Sequence, residues 1–182
     1  MTDTLTDARV AFLVAPEGVE QVELTTPWRA VKEAGGAPEL ISIDGASVVQ
    51  GFDHLDRADT FTVDHDITTA RVDDYAALVL PGGVANPDRL RTDRAALAFV
   101  AEFFSHDKPV AAICHAPWTL IDADVVDGRR MTSYPSLQTD LRNAGADWVD
   151  EEVVVDGRLV TSRRPNDLPA FCAALIDQIN GA

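Results

Sequence analysis

The chain has 182 residues, 46% of them hydrophobic and two of them cysteine, which is enough for one domain with a sizeable core and no disulfide support. Thirty acidic side chains against fifteen basic ones leave a formal net charge of −15, and such a surface is a poor match for nucleic acid. Thr2 to Asp7 is polar and no apolar run is long enough to span a bilayer, so neither a secretory leader nor a membrane partner is expected and the chain reads as cytoplasmic. Lysine occurs only at Lys32 and Lys108 and the acids are scattered, a pattern expected of a surface adapted to high salt; the alternative is an ordinary acidic cytoplasmic protein.

In chain order, Arg9 to Val14 reads as a buried strand, followed by a loop through Pro16 and Gly18 and an amphipathic helix from about Glu23 to Ala34 that Gly35-Gly36 ends. Glu39 to Ile43 is a second strand, and Asp44 to Asp74 is polar enough for loops and short edge strands. Ala77 to Leu80 is a third buried run and stops at Pro81-Gly82-Gly83. Asp93 suits the cap of a helix carrying Leu97, Val100, Phe103 and Phe104. Val110 to Ile113 is the next strand, and Pro117 fits the first turn of a helix through Leu120 and Ile121. Arg130 to Ser133 resembles a short strand, with Ser136 placed to cap a helix that ends at Ala144-Gly145. Val153 to Val155, Asp156-Gly157 and Leu159 to Thr161 form a hairpin pattern, and Asp167 opens a final helix with Leu168, Phe171, Cys172, Leu175, Ile176 and Ile179 on one face. Strands alternating with helices predict an α/β fold with a mostly parallel sheet, as one domain over 1–182 with 1–7 as a flexible tail.

Cys114 lies where the Val110 strand meets the Pro117 helix, which is the geometry of a nucleophile elbow. Unpaired amides at a helix start favour the thiolate, the form of cysteine that attacks carbonyls. The competing reading is a packing cysteine, and Cys172 on its apolar helix face is read that way. Gly82-Gly83 at another strand end lets backbone amides approach a ligand, so the two turns are expected to meet at the carboxyl edge of the sheet. The amides of Gly83 and His115 would then form an oxyanion hole. No zinc-type spacing surrounds Cys114-His115, and His54, His65 and His106 sit in polar, surface-like contexts. Gly82-Gly83 lacks the lysine and hydroxyl of a phosphate loop, so no metal and no cofactor are expected.

These residues match a known pattern. The chain resembles the ThiJ/PfpI family, in particular its PfpI-type intracellular protease or amidase group. The resemblance runs from about Arg9 to Ile176 and rests on Pro81-Gly82-Gly83, Ala112-Ile113-Cys114-His115-Ala116-Pro117, Asp140 to Ala146, and Val160 to Phe171. It implies a flavodoxin-like three-layer sandwich of the class I glutamine-amidotransferase type, with the added hairpin and the elbow at Cys114. It also implies that Cys114 is the nucleophile, that His115 is its partner, and that Glu23 is an acid approaching the thiol from the loop after the first strand.

In the PfpI group the acid that orients the histidine comes from a neighbouring subunit, just after a proline beyond the glycine turn. Asp88, after Pro87, is the matching residue here, although Val84-Ala85-Asn86 is one residue longer than the usual segment and aspartate is shorter than glutamate. The resemblance therefore implies a homo-oligomer, a dimer or a hexamer. Tyr134 matches a position near the pocket and is a candidate substrate contact, and Trp118 stands where glutamine is common and is expected to reshape the entrance. The implied function is a cysteine-dependent hydrolase of small-molecule or peptide amides with a stress-protective role. The alternatives are a glyoxalase or deglycase acting on methylglyoxal and glycation adducts, and a redox sensor using Cys114 without turnover.

Overall fold

In the computed structural model, which describes residues 5, 6 and 8–182, the apolar runs form the middle of a sheet that is buried on both faces. The elements in order are β1 (Arg9–Val14), β2 (Glu17–Glu20), α1 (Gln21–Glu33), β3 (Ala37–Ser42), β4 (Val48–Asp53), β5 (Asp56–Thr62), β6 (His65–Asp66), β7 (Ala77–Leu80), α2 (Ala85–Leu90), α3 (Arg94–Ser105), β8 (Val110–Ile113), α4 (Pro117–Asp122), β9 (Arg130–Met131), α5 (Gln138–Asn143), β10 (Asp147–Trp148), β11 (Val153–Asp156), β12 (Leu159–Ser162) and α6 (Leu168–Asn180). The main sheet has seven strands in the order β11-β12-β8-β7-β1-β3-β6, parallel throughout except for the β11–β12 hairpin.

Alternation along each strand sorts side chains to two helical layers. Val10, Phe12 and Val14 of β1 join Leu24 and Val31 of α1 and Phe171, Leu175 and Ile179 of α6 on one face. Ala11 and Leu13 join Phe99, Val100 and Phe103 of α3, Leu120 of α4 and Leu141 of α5 on the other. The result is the expected three-layer α/β sandwich. Asp93 accepts from the Ala96 N–H at 2.9 Å and caps α3 as its position suggested.

The chain leaves β1 toward β3 and later returns to place β7 on the other side of β1. Sheets of this kind open a crevice beyond the carboxyl ends at such a reversal. A second sheet, β2-β4-β5, stands over that end; short strands were expected after Asp44, but not β2 or the pairing of the three. The stretch expected as a loop through Pro16 and Gly18 supplies β2, and the polar region after Asp44 supplies the β4–β5 hairpin. β5 has mostly exposed residues, so it lacks the apolar alternation that marks a half-buried strand.

Other local expectations are corrected. Ser136 caps no helix; it sits in a 3₁₀ turn, Pro135–Leu137, that precedes α5. The final helix does begin at Asp167, which immediately precedes α6, and its side chain accepts from Arg163 Nε at 2.8 Å, a charge-assisted bond. His65 is half-buried beside Glu39, 3.2 Å away, whereas His54 and His106 are exposed as expected. Of the expected tail over 1–7, residues 1–4 and 7 lie outside the described residues, and Leu5 packs into the core with its N–H bonded to Ala34 O at 2.9 Å. No helix among the described residues is long and apolar enough to cross a membrane.

Candidate active site

β8 delivers Cys114 to the carboxyl edge of the sheet, and the chain must then turn sharply into α4. It does so with Cys114 at φ +64°, a left-handed backbone that costs a non-glycine residue about 1–3 kcal/mol. Flanking bonds hold it there: Cys114 N–H donates to Ser162 O at 3.0 Å, and Tyr134 N–H donates to Cys114 O at 2.8 Å. The elbow predicted at Cys114 is therefore present.

The Pro81-Gly82-Gly83 turn lies against it. A Cβ on Gly82 would stand 2.5 Å from Glu23 Oε2 and 2.6 Å from Cys114 Cβ, so glycine there permits the approach of acid and thiol. Gly83 has φ +80°, and a side chain on it would also run into Gly18 O. Its amide and that of His115 face the Cys114 sulfur, the convergence expected of the two turns.

Glu23 sits in the first turn of α1 and is fully buried. Its Oε2 accepts from Gly82 N–H at 3.0 Å, and its Oε1 is buried with no hydrogen-bond partner. Burial, reinforced by the charge of Glu20, pushes its pKa up to about 8 against the bonds from the thiol and from the Gly82 and Gly83 amides. At neutral pH the carboxyl therefore holds its proton and offers an O–H toward the sulfur.

The thiol itself is not acidified. Burial, then the charge of an ionised Glu23, raise the Cys114 pKa well above the ordinary value, outweighing the Gly83 and His115 amides. The expectation of a helix-start thiolate is corrected here: α4 spans only six residues, and the buried acid and low solvent access dominate. A protonated Glu23 removes the repulsive part of that shift, so deprotonation of the thiol depends on a neighbouring base.

His115 is that neighbour. Its Nδ1 lies 3.2 Å from Cys114 Sγ and its Nε2 lies 3.3 Å from Ser136 Oγ. Tyr134 stacks on the ring at 4.6 Å between centroids, and Trp118 packs against it at 5.3 Å. Burial lowers the His115 pKa and favours the neutral imidazole, the form able to accept a proton. Trp118 lies behind His115, not in the cavity wall, its indole N–H donating to Asp140 at 2.9 Å and Arg91 resting on its ring at 5.4 Å. Its expected effect on the entrance is replaced by support of the imidazole.

A cavity of about 490 Å³ opens over the sulfur. Glu17, Gly18 and Glu20 on β2 form one wall, Phe52, His54 and Leu55 at the β4–β5 tip another, and Tyr134 closes the side beside His115. Tyr134 thus lines the pocket as expected. Asp88 does not: it is exposed on α2 and makes no bond to His115 within the chain. Asn86, two residues earlier and fully buried, was missed. Its Oδ1 accepts from Ala15 N–H at 2.7 Å and its Nδ2 donates to Pro81 O and Gly82 O, so it ties the end of β1 to the glycine turn. An asparagine just after a glycine turn reads locally as loop, and nothing nearby in sequence marks its remote partner, Ala15.

Cys172 is buried in the α6 face as expected, and burial pushes its thiol up to about 11. The grouping of metal-capable side chains found among the described residues is Glu20, Asp53 and His54 at the cavity rim. Here His54 N–H donates to Glu20 Oε2 at 3.2 Å and Asp53 and His54 are exposed, so the cluster ties the hairpin tip to β2.

Comparison with known proteins places this geometry. The chain is 42% identical over 165 residues to the deglycase PfpI of Pyrococcus furiosus, covering 90% of this chain and 94% of that one. It is 40% identical over 163 residues, 90% and 93% of the two chains, to YraA of Bacillus subtilis, whose name assigns it provisionally to cysteine proteases. The crystal structure of DJ-1beta from Drosophila melanogaster superposes with a TM-score of 0.87 at 26% identity, covering 97% of this chain and 92% of that one. The model of the DJ-1/PfpI family matches residues 8–178, and with the elbow, the glycine turn and the buried glutamate in place, the chain belongs to the DJ-1/PfpI family.

Proposed function

We propose that this protein is a cysteine-dependent enzyme that acts on small dicarbonyl compounds such as methylglyoxal and on their adducts with amines or thiols, in the manner of a glyoxalase or deglycase. The observation that carries this reading is Glu23. A fully buried carboxyl, protonated near neutrality and facing the sulfur, is suited to moving protons at a carbon attached to that sulfur. Deglycase names among the relatives support the same reading.

The steps follow from the groups at hand. His115 Nδ1 accepts the Cys114 proton as the sulfur adds to the aldehyde carbon, and the carbonyl oxygen, held by the Gly83 and His115 amides, takes a proton to give a hemithioacetal. That proton comes from Glu23, and the resulting carboxylate removes the carbon-bound proton while the His115 imidazolium protonates the keto oxygen. The enediol so formed gives its first hydroxyl proton back to His115 and takes the Glu23 proton at the former keto carbon. The aldehyde carbon is thereby oxidised and the keto carbon reduced. Water cleaves the resulting thioester to lactate and free thiol. From an amine adduct, transfer of the same carbon to sulfur releases the amine first.

Amide hydrolysis uses the same thiol, imidazole and amides but calls for an acid on His115, a role that Asp88 of a second copy would fill in a homo-oligomer. The deciding experiment supplies purified protein at high salt with methylglyoxal and, separately, with peptide amides. Lactate that disappears in Cys114→Ala supports the proposal. Cleaved amide without lactate transfers it to the hydrolase, and selective oxidation of Cys114 with no turnover on either substrate transfers it to the sensor.

A further inference from the structure

Tyr134-Pro135-Ser136-Leu137 is a short turn with one end tied to the elbow. Tyr134 N–H donates to Cys114 O at 2.8 Å, Leu137 N–H closes the turn on Tyr134 O at 3.0 Å, and Leu137 is fully buried. Ser136 is therefore carried at a set position relative to the sulfur, with its side chain on the solvent side of the turn. Its Oγ meets His115 Nε2 at 3.3 Å while Nδ1 meets Cys114 Sγ at 3.2 Å.

The imidazole needs such a contact. Tyr134 covers one part of the ring and Trp118 packs at 5.3 Å, and these apolar contacts limit tilting. They do not choose between the two edge-on orientations, because a half-turn about the Cβ–Cγ bond preserves the ring plane. That half-turn would put carbon where Nδ1 faces the sulfur and where Nε2 faces Ser136, and both polar contacts would be lost. Asp88 offers no alternative within the chain, since it is exposed on α2 and bonds no part of the ring.

We infer that Ser136 is the positioning residue of His115 in this chain: its hydroxyl holds Nε2, keeps Nδ1 on the Cys114 sulfur, and joins the imidazole to solvent. A hydroxyl both donates and accepts. It accepts from Nε2–H when Nδ1 takes the thiol proton, and it donates to Nε2 when the ring proton is on Nδ1. Unlike a carboxylate it does so without adding charge, so His115 is oriented without being drawn toward the imidazolium form.

The consequence for turnover rests on the proposed function, but the positioning is read independently by nitrogen-15 NMR of the His115 ring. In Ser136→Ala, whose exposed side chain leaves no core void, the Nδ1 and Nε2 signals should move to a different tautomer balance. The kcat for lactate formation should fall about three- to tenfold, the size of one neutral hydrogen bond, with KM unchanged. Ser136→Thr, which keeps the hydroxyl, should restore both. Wild-type ring signals in Ser136→Ala would overturn the inference, as would ring signals that respond to Asp88→Asn and not to Ser136→Ala. Should wild type make no lactate at all, the proposed function fails while the NMR comparison still decides the role of Ser136.

Discussion

Cys114 and Cys172 are both buried, both free and both held as thiols by loss of solvent, yet their surroundings differ in every other respect. Cys172 lies along a helix face among Phe171, Leu175 and other apolar side chains, with no hydrogen-bonding partner for its sulfur among the described residues. Cys114 sits at a strand end in a left-handed backbone, with an imidazole nitrogen at 3.2 Å, a buried carboxyl opposite and amides aimed at it. Burial alone makes a cysteine inert. A reactive one needs groups that can take its proton and stabilise what replaces it.

The comparison breaks most sharply at the two sulfurs. Cys114→Ala should lower lactate formation at least about a thousandfold with the fold retained, as read by initial rates and circular dichroism. Gly82→Ala is expected to approach that loss without touching a reacting group. The added methyl must displace Glu23 or Cys114, and a crystal structure of the variant would display the shift alongside the lost rate.

Glu23→Gln sharpens the contrast through pH. Glutamine cannot deliver a proton, so the rate should drop about a hundredfold. Stability should move the other way. Unfolded, Glu23 releases its proton near its ordinary 4.5, and folded it keeps it up to about 8. Between those values the native state binds the extra proton, so the contribution of Glu23 is fully present below about pH 4.5 and is lost as pH rises through about 8. Melting temperatures should therefore show Glu23→Gln gaining on wild type as pH is raised from 5 to 8. A constant difference across that range would contradict the buried, protonated carboxyl.

At the small end, Cys172→Ala should keep wild-type kcat and lose about 1 kcal/mol of stability, the value of roughly one buried heavy atom, in denaturant unfolding. A loss of turnover in this variant would erase the distinction between the two cysteines.

Much of this site was legible because it is local in the chain. The apolar run into Cys114, the proline that starts α4 and the glycines after β7 each report their conformation through neighbours a few residues away. Glu23 was legible only through the family resemblance, since its helix position alone suggests a solvated first-turn acid. The roles of Asn86 and Ser136 were not legible: Asn86 also holds Ala15, 71 residues away, and Ser136, whose local pattern suggested a helix cap, meets a ring 21 residues away.

By itself, then, the sequence determined the parallel core, the hairpin after Val153 and the elbow, because apolar periodicity, turn glycines and prolines act over a few residues. Tertiary structure alone decided that β2, β4 and β5 wall the cavity, that Glu23 is stripped of water, that Trp118 supports the imidazole and that a serine meets its far nitrogen. Desolvation and hydrogen-bond partnership depend on which distant segments the fold brings together, and no short-range pattern encodes that.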